Sequence, residues 1–516
     1  MHWAMQIAQE LVKKYPDRET FVCASGISPS GSVHIGNFRE LVTTFFVVKS
    51  LQKLGRNTRF IFSWDDFDRL RKVPKNVDPS FEQYIGMPYS SIPDPCGCHK
   101  SYAAHFEAEF EESIRPFGMP VEFIYQSREY QSGRYNPYIV HALRNRKEIY
   151  DIMMEFKTSD GSEEEREGFY PITVYCQSCG KDFTKVEDFE EQKETVTYSC
   201  ECGHHDVLDV LNATNIKLNW KIDWPMRWMV EQVIFEPGGR DHSSETGSYN
   251  VSKQISERIF CNQPPEYAAY DFISVKGSHE KMSSSSGNSI TPKELLNIYL
   301  PDLLLFLFAK YRPEAAFHIG LDDDVVRNYT EYERFVENQS SINEDLQYSL
   351  KLAGQTRAEY RFPRFSQVAN ILPLVDFDVS ILKDILVQSG ELMTLDEVQA
   401  IAERVEYWTK TYQQDRMVKV NRMPNHEYYA TLTSTQKQWL SKLCNIVHEW
   451  NQDSSETFMQ NVYAICHDED KKVKRNNQKS LFQIVYRLVL NSTSGPRIPI
   501  LVEVVGKERI LELLDF

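Results

Sequence analysis

Ala24-Ser25-Gly26-Ile27-Ser28-Pro29-Ser30-Gly31-Ser32-Val33-His34-Ile35-Gly36-Asn37 is the stretch on which the reading of this chain turns. Before it, Thr20 to Ala24 is β-branched and apolar, which predicts a buried strand. After it, Val33 to Lys53 places Ile35, Phe38, Val42, Phe45, Phe46, Val48 and Leu51 at helical spacing. A glycine- and serine-rich turn between strand and helix offers backbone N–H groups and the positive end of the helix dipole to an anion such as phosphate. His34, in the first turn, can donate to the same ligand. A plain tight connection with His34 as a solvated cap is the alternative.

Working outward, Thr58 to Trp64 predicts a second strand that ends in Asp65-Asp66-Phe67-Asp68. Carboxylates at the carboxyl end of a parallel strand lie where open α/β sheets bind ligands, and they suit a cationic substrate; a helix-capping turn is the alternative. Asp94-Pro95-Cys96-Gly97-Cys98-His99 is followed by His105 on a predicted helix, Ser101 to Glu112. Asp94, Cys98, His99 and His105 make a candidate zinc set, with Cys96 an open alternative to Asp94. Cys176-Gln177-Ser178-Cys179-Gly180 and Cys200-Glu201-Cys202-Gly203 look like two zinc knuckles separated by a β-ribbon, Val186 to Ser199. Cys176, Cys179, Cys200 and Cys202 would hold one structural Zn2+; a redox pair is the rival. Ser159 to Glu167 is acidic and poor in apolar residues and reads as a mobile loop.

Trp220, Trp224 and Trp228 fall within nine residues and suit either a core or the walls around an alkyl-ammonium ligand. Gly238-Gly239-Arg240-Asp241-His242 is another glycine-rich turn, followed by a helix from about Ser248 to Phe260 and a strand from Tyr267 to Val275. That strand runs into Lys276-Gly277-Ser278-His279-Glu280-Lys281-Met282-Ser283-Ser284-Ser285-Ser286, a small hydroxyl-rich loop able to close over a polyphosphate. From about Asp322 long helical patterns take over. Lys471, Lys472, Lys474 and Arg475 are the densest basic patch and a candidate RNA contact.

The 516 residues suggest two to four domains. Ten cysteines in so long a chain do not make a disulfide framework and suit a reducing compartment. The longest apolar run, Leu303 to Ala309, is too short to span a membrane, and Met1 to Tyr15 reads as an amphipathic helix, not a signal peptide. A cytoplasmic protein is expected. The net charge of −16 excludes a uniformly basic nucleic-acid coat but not a basic face.

His34-Ile35-Gly36-Asn37 and Lys281-Met282-Ser283-Ser284-Ser285, in this order, resemble the two signatures of class I aminoacyl-tRNA synthetases, His-Ile-Gly-His and Lys-Met-Ser-Lys-Ser. With the tryptophan segment, the Gly-Gly-Arg-Asp-His segment and a helical C-terminal third, the chain resembles the class I lysyl-tRNA synthetases across nearly its whole length. Asn37 and Ser284 stand where the general class has a second histidine and a second lysine, departures that the lysyl type shares.

The resemblance implies an α/β fold: a doubly wound parallel-sheet nucleotide-binding domain (1–93 and 211–290), a zinc-bearing insertion (94–210), a connecting helical region (291–345) and an all-α anticodon-binding domain (346–516). It implies ATP-dependent attachment of lysine to tRNA through lysyl-adenylate, with Mg2+ on the phosphates and Zn2+ in the insertion. His34, Asn37, Lys281, Ser283 and Ser284 would be catalytic; His34, Gly36, Asn37, Asp241 and Lys281 would bind ATP. Gly26, Ser28, Trp220, His242 and Tyr270 would line the lysine pocket; from the chemistry of the side chain itself, whose ammonium wants a carboxylate, Asp65 or Asp68 is the expected partner. Lysine, ATP and tRNA are the expected partners, and the protein is expected to be a monomer. A glutamyl-type synthetase and an inactive tRNA-binding relative are the rival readings.

Overall fold

The computed structural model describes all residues except 158–160, 272, 277–289, 355–359, 389 and 452–453. Two compact units emerge. The first comprises Met1–Leu295, Pro301–Ile319 and Ile342–Thr356; the second comprises Leu296–Leu300, Gly320–Ser341 and Arg357–Phe516. The residues read as a connecting region, 291–345, are thus shared between them. Among the described residues, no helix is long and apolar enough to cross a membrane.

In the first unit, α1 (Trp3–Lys14) precedes β1 (Thr20–Ile27), α2 (Ile35–Lys53) and β2 (Asn57–Trp64). Then come α3 (Tyr102–Ile114), β3 (Glu122–Tyr125), a ribbon of β4 (Thr184–Glu190), β5 (Thr195–Cys200) and β6 (His205–Asp209), α4 (Trp220–Glu231), β7 (Val233–Phe235) and α5 (Ser248–Arg258). The main sheet runs β3-β2-β1-β7, every pair parallel. Thr20 faces Asn57 and the register continues to Ile27 opposite Trp64. β1 is buried from Phe21 to Ser25, and α2 buries Ile35, Phe38, Leu41, Val42 and Phe45 to Val48. A strand covered on both faces needs the continuous apolar run that the sequence has, not an alternation. The chain builds outward from β1 through β2 to β3, then returns to the other side of β1 with β7. The order therefore reverses beside β1, and the crevice outside the strand ends at such a reversal is where this architecture holds ligands. Gly26 makes the pairing possible there: a Cβ on it would lie 2.8 Å from the Ser63 carbonyl oxygen.

Three expectations change. Residues 94–210, read as an insertion, also contain β3, which pairs with β2 from Ile61–Glu122 to Trp64–Tyr125. Four residues are too short a run to register as a strand without their neighbour. Within Ser159 to Glu167, read as a loop, Glu163–Glu167 is a helical turn; Ser162 and Glu165 form a capping box that satisfies its first N–H groups. Tyr267 to Val275 is two short strands, Ala269–Tyr270 and Ile273–Val275, each pairing in parallel with a different partner.

α4 contains Pro225, whose missing N–H orphans the carbonyl of Lys221 one turn back. The buried Ser252 hydroxyl, on α5, donates to that carbonyl at 3.0 Å, so a proline-interrupted helix is repaired by its neighbour. Trp224 and Trp228 pack with Val22, Ala24, Ile61, Ile124 and Val233, while Trp220 is half-buried at the head of the helix.

In the second unit every described element from Gly320 onward is helical. One apolar cluster of the unit includes Leu440, Leu443, Val447, Val462, Leu488, Leu501 and Leu513. α6 (Lys471–Leu490) begins with the basic patch, capped by Asp470, whose carboxylate accepts from Lys472 N at 2.7 Å and Val473 N at 3.1 Å. Lys471, Lys472 and Arg475 are exposed and Lys474 is half-buried. Cations at this end oppose the helix dipole, so helix stability does not account for them.

Candidate active site and metal centres

The turn after β1 leads into α2 through His34, which is the N-cap. Its Nδ1 accepts from Gly36 N at 3.1 Å, which places the ring proton on Nε2. A Cβ at residue 36 would stand 2.9 Å from that ring, so glycine is what lets the imidazole fold over the helix end. Asn37 follows in the first turn of the helix and is half-buried. Ile35 N donates to the carbonyl of Ile290 at 2.9 Å. Lys281, Ser283 and Ser284 lie outside the described residues, but Ile290, just beyond that segment, is thus bonded to the first residue of α2.

Ser28 donates to Asp68 Oδ2 at 3.2 Å and begins a chain of alternating charges. Asp68 pairs with Lys217 at 2.9 Å, and Lys217 with Asp223 at 3.5 Å. Asp223 pairs with Arg227 at 3.1 Å, and Arg227 with Asp65 at 2.7 Å. The Tyr130 hydroxyl also donates to Asp223. Asp65 and Asp68 therefore already face cations of the chain itself. Burial pushes Asp65 up to about 6 despite Arg227. Burial also opposes ionisation of Asp68, yet Lys217 beside it holds that carboxyl below the usual range. Three carboxylates face two cations, which leaves the cluster one negative charge in surplus. Trp220 stacks on Trp224, centroids 4.9 Å apart, and the Arg227 guanidinium lies over the Trp220 ring at 5.2 Å. A cavity of about 460 Å³ opens beside Asp68, Lys217 and Trp220.

Sequence reasoning missed Glu40. It sits on α2, one turn beyond Gly36 and Asn37, and its carboxyl accepts from Gly26 N at 3.0 Å and from the Tyr270 hydroxyl at 2.8 Å. Burial, helped by Glu236, pushes Glu40 up to about 8 against those two hydrogen bonds. The available signal was that Glu40 is the one acid in the predicted helix. Arg39 was missed too. It is buried and donates to the carbonyls of Asp271, Arg312 and Ala315 at 2.7, 2.8 and 2.8 Å, tying α2 to the segment that carries Tyr270. His242 binds Ser248 Oγ through Nδ1 at 2.7 Å and lies 5.9 Å from the Trp224 ring, while Asp241 is exposed on the short turn beside it.

The four thiols of Cys176, Cys179, Cys200 and Cys202 come within 4.8 Å of one another. Cys176 and Cys202 are 3.7 Å apart at sulfur, as are Cys179 and Cys200. A disulfide would need about 2.05 Å. A tetrahedron of sulfurs about 2.3 Å from a zinc has edges near 3.8 Å, so the spacing fits Zn2+ and is too long for a formed disulfide. Asp94, Cys98, His99 and His105 also gather within 4.8 Å, without Cys96. His105 Nδ1 lies 3.2 Å from Asp94, and Cys98 Sγ is 3.0 Å from His99 Nδ1. Asp94 is braced by the N–H groups of Cys96, Cys98 and His99 at 2.9, 2.8 and 2.6 Å. A carboxylate, a thiol and two imidazoles are a chemically suitable zinc donor set.

Residues 1–356 match the profile of the family described as tRNA synthetases class I (K). A lysine–tRNA ligase of Treponema pallidum is 32% identical over 100% of this chain and 98% of its own length. One of Pyrococcus horikoshii is 31% identical over 96% of each chain, and one of Streptomyces coelicolor is 31% identical over 99% of this chain and 98% of its own. A solved glutamate tRNA ligase from Elizabethkingia meningosepticum is 13% identical with a TM-score of 0.44, covering 96% of this chain and 99% of that one, too remote to bear on the amino acid. With that profile covering the parallel sheet, its crevice and the cysteine ribbon, the chain belongs to the class I (K) family of tRNA synthetases.

Proposed function

We propose that this chain attaches lysine to lysine tRNA in two steps at the crevice beside β1. The observation that carries the reading is the match, over essentially the full length, to lysine–tRNA ligases of both bacteria and archaea. The lysine carboxylate attacks the α-phosphate of ATP in line; a new P–O bond forms as the bond to pyrophosphate breaks. A ribose hydroxyl of the terminal tRNA nucleotide, the 2′-hydroxyl by the class resemblance, then attacks the lysyl carbonyl and AMP leaves. No covalent enzyme intermediate is needed, so the protein's contribution is positioning and charge stabilisation.

The phosphates lie at the N-terminus of α2, under the His34 Nε2–H and beside Asn37. Lys281, Ser283 and Ser284 hold the triphosphate from the second signature, with Mg2+ arriving on the nucleotide, and Asp241 takes the ribose. Gly26, Ser28, Trp220, His242 and Tyr270 enclose lysine. The surplus negative charge of the Asp65–Asp68–Asp223 cluster attracts the side-chain ammonium, and Trp220 covers its alkyl stem. A glutamate side chain would meet that same charge and be repelled. Zn2+ held by the four cysteines cross-links the ribbon, and a second Zn2+ on Asp94, Cys98, His99 and His105 fixes the segment before α3. The basic start of α6 meets tRNA in a helical anticodon-binding region, and the protein works as a cytoplasmic monomer.

The test is ATP–pyrophosphate exchange and tRNA charging, each measured with unfractionated tRNA present and one amino acid at a time. Lysine alone should support both. Equal exchange with glutamate, or none with any amino acid, rejects the reading.

Glu40 adds a pH dependence. An ammonium bound beside Glu40 favours the ionised carboxyl, so below about 8 lysine binding must expel a proton. The KM for lysine should therefore fall as pH rises from 6 towards 8. Glu40→Gln should raise KM about tenfold and flatten the profile; a variant with the wild-type KM and slope would take Glu40 out of the site.

A further inference from the structure

Tyr270 and Asp271 are gripped by two pairs of neighbouring residues. Glu40 accepts from the Tyr270 hydroxyl at 2.8 Å, and Arg39, the residue before it on α2, donates to the Asp271 carbonyl at 2.7 Å. Gly239 pairs with Tyr270 in a short parallel ladder, and Arg240, the residue after it, meets the Asp271 carboxylate at 2.9 Å. α2 has His34 at its cap and Asn37 in its first turn, while Arg240 opens the turn that carries Asp241 and His242. The elements assigned above to the nucleotide and to the amino acid therefore meet on one dipeptide.

A third segment closes the junction. Residues 312–315 have no part in the reaction above, yet Asp271 N donates to the Pro313 carbonyl at 2.9 Å. The Arg39 guanidinium donates to the carbonyls of Arg312 and Ala315, each at 2.8 Å, and lies 5.2 Å from the centre of the Phe317 ring. Arg240 donates to the Glu314 carbonyl at 3.2 Å. Both arginines thus bind the same two segments. Arg39 is 3% exposed, and burying a cation costs free energy that an apolar side chain would not. What the planar fork adds is direction, since its donors leave at fixed angles. The Arg240 side chain is 58% exposed, so its ion pair contributes little to folding stability.

We infer that Arg39 and Arg240 are positioning residues of the activation step. By holding Asp271 they fix the helix end that takes the phosphates relative to the turn and the tyrosine that take ribose and lysine. In-line attack needs the reacting atoms about 3–3.5 Å apart and aligned, and a misplacement of about 1 Å costs on the order of 100-fold. The phosphates and the amino acid bind to different members of the junction. Loosening it leaves each half-site intact and spoils their alignment, so the loss falls on kcat and not on KM. The inference rests on the ligase reading and deepens it, by naming what aligns the two substrates.

The test is lysine-dependent ATP–pyrophosphate exchange by the full-length protein with tRNA present, kcat being expressed per active site by titration of the adenylate formed. Arg240→Ala should lower kcat about tenfold with KM for ATP and lysine within about twofold, and Arg240→Lys, which keeps the ion pair, should recover most of the loss. Asp271→Asn should match Arg240→Ala, and the double variant should be no worse than either single one. Arg39→Lys keeps the charge but cannot span three carbonyls, and should lower kcat about 100-fold. Fewer active sites with an unchanged kcat per site in Arg39→Lys and Arg240→Ala would make both arginines supports of the fold and overturn the inference. A raised KM with unchanged kcat would also overturn it, since each arginine would then serve one substrate. A wild type without lysine-dependent exchange overturns the ligase reading together with the inference, whereas full exchange by the wild type and both variants overturns the inference alone.

Discussion

Cys200→Ser is expected to remove the zinc ion proposed for the four-cysteine site and to unfold the ribbon β4-β5-β6. A serine hydroxyl is a poor replacement for a thiolate ligand, and the ribbon's own core is small: Val196, Tyr198 and Leu208 are its buried apolar residues. Binding free energies of structural zinc are about 10–16 kcal/mol in small domains, comparable with the whole stability of about 5–15 kcal/mol of a folded domain. Losing the ion should therefore abolish hydrogen-exchange protection over Thr195–Cys200. With both proposed centres filled in the wild type, metal analysis should fall from two ions to one. His105→Ala should also give one ion but leave the ribbon protected, which separates the two centres. Full protection in a metal-stripped Cys200→Ser protein would mean that the four thiols are not a structural metal site.

Asp223→Ala should cost about 3–5 kcal/mol, because it leaves Lys217 and Arg227 buried with one shared carboxylate fewer. It also removes the acceptor of the Tyr130 hydroxyl. The loss should appear as a lower denaturant midpoint with unchanged slope. In the charging reaction the same variant should raise the KM for lysine, since the cluster changes from one negative charge in surplus to none. A variant as stable as the wild type, with the same KM, would make the network incidental to both fold and substrate.

The strand, turn and helix around His34 were legible because each obeys a local rule: a continuous apolar strand, glycines where the backbone turns, and helical spacing after it. The cysteine knuckles were legible for the same reason, each half being complete within four residues. The network that ends on Ser28 was not. Asp65 and Asp68 could be picked out as carboxylates at a strand end, but their partners Lys217 and Arg227 come from about 150 residues further on and meet them only because the end of β2 and the chain running from Lys217 into α4 flank the same crevice. β3 was hidden because four residues become a strand only beside β2. Glu40 was hidden because its importance lies in touching Gly26 and Tyr270, one 14 and the other 230 residues away.

The start of α6 carries a thermodynamic consequence. Lys471, Lys472, Lys474 and Arg475 crowd the positive end of a helix dipole, with Asp470 the one acid at the cap. The folded protein thus holds a small electrostatic debt, of order 0.3–1 kcal/mol per cation at low salt. A polyanion laid across this end would cancel the repulsion as well as gain its own attraction, and so would stiffen the helix. Added salt relieves the same repulsion without occupying the site, and the free and bound forms of the unit should therefore respond to ionic strength in opposite directions.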